Sequence, residues 1–141
     1  MIAIFQPFQG VGDFMFNSPI IDYLDLYKFT IYRKDGNYDC DKYNIDNPDM
    51  SLYVDDNNII ESINCHEECL YKGRNLIGMT IEEFISHTGE KYYGEIDVLD
   101  YEDDGVPQYV YEFDDIGLQV WCKKNVIVTI IASSEFIDEE E

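Results

Sequence analysis

The stretch Tyr43 to Asn57, YNIDNPDMSLYVDDN, aligns without a gap on Tyr111 to Asn125, YEFDDIGLQVWCKKN, at a constant offset of 68. Tyr43 falls on Tyr111, Ile45 on Phe113, Asp46 on Asp114, Met50 on Leu118, Leu52 on Val120 and Tyr53 on Trp121. After one skipped residue, IIESI (59–63) lies on VIVTI (126–130). Each copy reads strand, polar turn, strand, polar turn, strand, with apolar residues alternating on one face, which is the period of a sheet with one buried side. A repeated unit of this kind predicts an internally duplicated α+β fold.

The segments around the repeat supply the remaining elements. Asn17, Ser18 and Pro19 read as a cap followed by Pro near a first helical position, and Ile20, Tyr23, Leu24 and Tyr27 share one helical face, so a short amphipathic helix is expected over 18–27. Phe29 to Arg33 alternates as a strand, and Asp35-Gly36-Asn37 is a turn signal. In the second half, Thr80 with Glu83 forms a capping box, Ile81, Phe84, Ile85 and Thr88 line one face, and Gly89 stands at C′. This predicts two helix-plus-antiparallel-meander halves whose sheets join or stack around Leu52, Ile60, Ile63, Phe84, Val120, Ile127 and Ile130. The chain reads as a single domain, 1–141, with pseudo-repeats at 10–65 and 74–132 and an acidic tail at 133–141. VIVTIIA at 126–132 is too apolar for an edge and is expected in the middle of a sheet.

The two halves differ in length. The offset is 61 between the expected helices, with Ile20 on Ile81, and 68 between the hairpins, so about seven extra residues separate helix from hairpin in the second half. The obvious place is EIDVLDYEDDG, 95–105, read as an acidic loop with no base in it. A loop that breaks the symmetry of a framework is a better candidate for function than the framework itself.

Composition narrows the partners. Nine basic against thirty acidic residues give a net charge of −21. Such a surface repels nucleic-acid phosphates and anionic membranes and steers cationic partners toward itself. The start, MIAIFQPF, lacks the length and flanking charge of a signal peptide, and the chain has no apolar run of membrane-spanning length, so a cytoplasmic location is expected. Cys40, Cys65, Cys69 and Cys122 are then expected as free thiols.

The alternatives fail on spacing. Cys65, His66 and Cys69 bring soft-metal ligands close together, but zinc wants four and the second pair is missing. Asp35, Asn37, Asp39 and Asp41 alternate like a calcium loop, yet positions six and twelve carry Cys40 and Asp46 instead of Gly and Glu. A Cys65–His66 nucleophile pair would sit on opposite faces of a strand. GVGD has neither the spacing nor the Lys of a phosphate loop. No enzyme activity, metal or other cofactor is expected; a small enzyme or metal-binding protein using Cys65, His66 and Cys69 is the alternative reading, and an adaptor domain with a solubilising acidic surface the third.

Twelve tyrosines complete the pattern. Tyr92, Tyr93, Tyr101 and Tyr109 flank the acidic stretch, and aromatic anchors ringed by charge are the composition of a protein interface. A small, acidic, tyrosine-rich chain with no catalytic constellation resembles the immunity proteins of bacterial toxin systems, of the contact-dependent growth inhibition and colicin-nuclease types. YKGRNLIGMTIEEFISHTG followed by GLQVW is similar to the helix-plus-meander units of such small families. The resemblance implies an inhibitor whose partner is a basic protein, a nuclease toxin. The partner-binding residues expected on charge, length and aromatic content are Glu95, Asp97, Asp100, Tyr101, Glu102, Asp103, Asp104 and Tyr109.

Overall fold

Strands dominate the structure, because the alternating segments each find an antiparallel neighbour. The computed structural model describes residues 1–34, 40–99 and 105–134. In chain order, the strands are β1 (Phe5–Gln6), β2 (Gly10–Val11), β3 (Phe14–Met15), β4 (Thr30–Tyr32), β5 (Lys42–Asp46), β6 (Asp49–Val54), β7 (Ile60–Cys65), β8 (Leu70–Tyr71) and β9 (Arg74–Asn75). The helix α1 (Ile81–Thr88) follows, then β10 (Tyr93–Leu99), β11 (Gln108–Phe113), β12 (Leu118–Lys123) and β13 (Val126–Ser133).

Eight strands form one sheet in the order β10-β11-β12-β13-β7-β6-β5-β4. It consists of two four-stranded meanders, β4 to β7 and β10 to β13, which meet through their last strands. Ile130 lies opposite Cys65 and Ala132 opposite Ile63. The halves therefore join edge to edge, and β13 is interior, as its apolar run requires.

Register sorts the side chains into two faces. One row across the sheet is Tyr43, Leu52, Ile63, Ala132, Leu118 and Phe113, all buried. The adjacent row, pointing the other way, is Asn44, Ser51, Asn64, Ile131, Gln119 and Glu112. The apolar face is covered by α1, whose Phe84 ring lies 4.6 Å from that of Phe113, and by the N-terminal segment through the contacts Phe14–Phe29 (6.2 Å) and Phe29–Tyr43 (5.8 Å). All seven core positions expected from the sequence are at most 1% exposed.

The expected cap of α1 is present in full. Glu83 N–H donates to Thr80 Oγ1 (3.1 Å), Thr80 N–H donates to Glu83 Oε1 (2.9 Å), and Gly89 takes φ +75°. The helix expected over 18–27 is instead a 3-10 turn at Ile20–Tyr23. Its cap chemistry is spent elsewhere: Ser18 Oγ donates to the Met15 carbonyl (2.6 Å) and accepts from Tyr23 Oη (3.0 Å), and Pro19, at the N-cap, offers no side-chain acceptor. Without a cap, a segment of β-branched, aromatic and Asp residues has little helical preference to fall back on.

The second correction concerns 95–104. Glu95 to Leu99 is the body of edge strand β10, and the loop reading does not hold there. Part of the extra length is built into that strand: its register moves from Tyr93 opposite Glu112 to Asp97 opposite Val110, four steps on β10 against two on β11. Such a bulge bends an edge and raises its twist. Asp100, Tyr101, Glu102, Asp103 and Asp104 lie outside the described residues, as do the turn at 35–37 and residues 135–141 of the tail.

Candidate partner-docking edge

β10 is held at its start by aromatic contacts. Tyr92 packs its ring on Tyr111 (5.1 Å) and Phe113 (6.1 Å), and Tyr93 Oη donates to Asp115 (2.8 Å). That bond, with burial and the neighbouring acids behind it, raises the Tyr93 pKa. Beyond the bulge the strand pairs regularly, with Asp97 opposite Val110, Val98 opposite Tyr109 and Leu99 opposite Gln108.

Register gives the edge two unlike sides. Val98 and Tyr109 project toward the face that α1 covers, where they are 54% and 39% exposed, so the cover stops short of them. Beside them a cavity of about 360 Å³ is lined by Tyr109, Tyr111, Cys122, Lys124 and Asn125. Asp97 projects to the polar face, beside Val110 and near Glu112. Five of the seven β10 residues are exposed, Glu95 and Asp97 among them. Among the described residues no strand pairs with the outer side of β10.

Of the expected site residues, Glu95, Asp97 and Tyr109 do come together on one strand pair. Tyr109 and the Asp97 carboxylate face opposite sides, so one ring surrounded by carboxylates is not what these three form. Tyr111, Cys122, Lys124 and Asn125 were not among the expected residues. A signal for them exists in the sequence: at the offset of 68, Lys123-Lys124 falls on Asp55-Asp56, a reversal of charge. Lys124 and Asn125 both take positive φ (53° and 67°) in that tight turn. Asn125 Nδ2 donates to Glu82 (2.8 Å), which lowers the Glu82 pKa and ties the turn to α1. Burial, then the Glu82 charge, pushes the Cys122 thiol up to about 12, so the cavity floor is a neutral thiol.

The Cys65, His66, Cys69 segment is divided by the sheet. Cys65 and Cys69 are fully buried under the cover, whereas His66 is exposed, its Nδ1 3.3 Å from Thr129 Oγ1 on the next strand. The adjacent Cys65 thiol, then burial, raises the Cys69 pKa well above its usual value. Two buried core thiols and a histidine on the far face do not converge on one ion or one substrate atom. Among the described residues no group of three potential metal ligands is gathered, and no helix is long and apolar enough to cross a membrane.

The chain matches no family model, no curated protein and no solved structure.

Proposed function

We propose that this protein acts by binding and not by catalysis, as an inhibitor that occupies the surface of a cationic partner protein. The reading extends to the partner class that the resemblance implies, a nuclease toxin. The observation that carries it is the β10 edge. Exposed carboxylates at Glu95 and Asp97 lie along a strand whose other side offers the uncovered Val98–Tyr109 pair and a cavity. An edge with an apolar and aromatic pair on one side and a carboxylate on the other is suited to a basic partner: charge brings the partner in, and desolvated anchors hold it. A nuclease needs a basic cleft for its substrate, and an acidic protein can fill that cleft.

The two meanders are also proposed to be copies of one unit. In support, β6–β7 and β12–β13 each break register at matching places, between Tyr53 and Val54 and between Trp121 and Cys122.

The test is co-expression with the product of the adjacent upstream reading frame. The expected result is a one-to-one complex and relief of toxicity, with an affinity that falls steeply with salt and falls further for Glu95→Gln/Asp97→Asn. Absence of a complex, or a complex indifferent to both salt and substitution, would overturn the proposal.

A further inference from the structure

We infer that β10 receives an extended segment of alternating basic and apolar residues as a ninth strand. The inference rests on the binding role proposed above and specifies its chemistry. Its first ground is the backbone: β10 ends the sheet, and the outer row of N–H and C=O groups on an edge strand is a template for pairing with another chain. The second ground is the register. A residue placed opposite Asp97 would project to the polar face, where the Asp97 and Glu112 carboxylates lie. Its neighbour, opposite Val98, would project to the other face, beside the exposed parts of Val98 and Tyr109 and the cavity of about 360 Å³. The edge therefore reads a two-residue period, cationic then apolar, because successive side chains on a strand alternate in direction.

Charge selects among possible occupants. A second copy of this chain would bring its own −21, and its β10 would set carboxylate against carboxylate. The opposite edge, β4 (Thr30–Tyr32), carries no carboxylate of its own, and the acids beside it, Asp41 and Asp56, are already paired with Arg33 and Lys34, so it offers a basic strand less than β10 does. Of the two edges of the eight-stranded sheet, β10 is the one that suits a cationic extended peptide, and the bulge between Tyr93 and Asp97 places the regular pairing at Asp97–Leu99.

The experiment uses the whole chain labelled with ¹⁵N and an acetylated, amidated peptide of four Lys-Val repeats. The expected result is amide shifts concentrated on 95–99, with binding weakened at least tenfold when alternate amide nitrogens of the peptide are methylated, since methylation removes its pairing edge but keeps its charge. Asp97→Lys should weaken binding, and Arg33→Glu should leave it unchanged. Equal binding of the methylated peptide would overturn strand addition and leave the acidic-surface reading intact. Shifts centred on β4 or on the polar face, or no binding at low salt, would also overturn it. The co-expression experiment above reports on the inhibitor role separately.

Discussion

Gly117 is where the N-terminal segment, the second meander and the turn at Asp114–Ile116 meet, and replacing it by Ala tests that junction. Its φ of +68° is left-handed, which costs an L-residue about 1–2 kcal/mol. A Cβ there would stand 2.8 Å from the Ser133 carbonyl oxygen and 2.8 Å from a Phe8 ring carbon. The carbonyl cannot retreat freely, because Ser133 N–H donates to Gly117 O (3.0 Å) at the same point. Overpacking of this sort adds about 1–3 kcal/mol. Gly89 is the matched control: its φ is +75°, and nothing lies within 4 Å of its virtual Cβ. Gly89→Ala should therefore lose only the backbone term, about 1–2 kcal/mol, and Gly117→Ala about 2–5 kcal/mol. Urea unfolding of both variants, compared by midpoint at constant slope, gives the difference directly. Phe8→Ala in the Gly117→Ala background should recover part of it, as a coupling above about 0.5 kcal/mol between residues in contact. Equal losses for the two glycine variants, within about 0.5 kcal/mol, would refute the close approach of Phe8 and Ser133.

Phe84→Ala should cost about 3–5 kcal/mol and Phe84→Leu under about 1.5 kcal/mol, since the ring is fully buried against Phe113 and is the principal anchor of α1; calorimetric or urea unfolding reads both. Native-state labelling at pH 8 should modify Cys40 alone, with Cys65, Cys69 and Cys122 reacting only on unfolding, because the three are buried and the Cys69 and Cys122 thiols are held protonated; mass spectrometry after a short pulse decides it. Stability should fall as the solution is made alkaline. Tyr27 is pushed up to about 12 by burial and by its bond to Asp13, and Cys122 to about 12, both above their unfolded values of about 10 and about 8.5. Their stabilising contribution is complete below those unfolded values and is lost as pH rises from about 9 toward about 12. A urea midpoint that is flat across that range, or a slope unchanged by Tyr27→Phe, would contradict the assignment.

How much of the fold and the site was legible depends on whether the signal is local. The α1 cap could be read because Thr80, Glu83 and Gly89 act within one helical turn of their own backbone. Burial of Leu52, Val120 and Ile130 could be read because strand period fixes the inward side. The helix expected at 18–27 failed for a non-local reason: the backbone at its expected start is paired with a distant segment, Ile60 N–H donating to Ser18 O and Ile20 N–H to Asn58 O (2.9 Å each). At β10 two signals compete. GEIDVL alternates like a strand, and the density of acids beside it suggests a loop; backbone pairing with β11 decides for the alternation. The cavity by Tyr109 required knowing which turn lies beside which helix, and that is set by the Asn125–Glu82 bond across 43 positions of sequence.

The same carboxylates that make β10 a docking candidate also explain how an exposed edge can persist in a protein of this composition. Large apolar side chains are exposed along and beside it, and an uncharged edge of this kind would pair with its own copies. Glu95 and Asp97, with the bulge before Asp97, oppose that outcome by repulsion and by bending the strand. Repulsion between like edges is not repulsion of every strand: it is reversed in sign for a cationic one. An edge protected by charge is thus closed to the chain's own copies and open to one class of partner. The two roles separate under substitution. Asp97→Asn should weaken the Lys-Val peptide and, in the same sample, raise the tendency of the free protein to self-associate in light scattering at low salt. If peptide affinity falls while self-association stays unchanged up to millimolar concentration, the protective role of the carboxylate is wrong, although its recognition role stands.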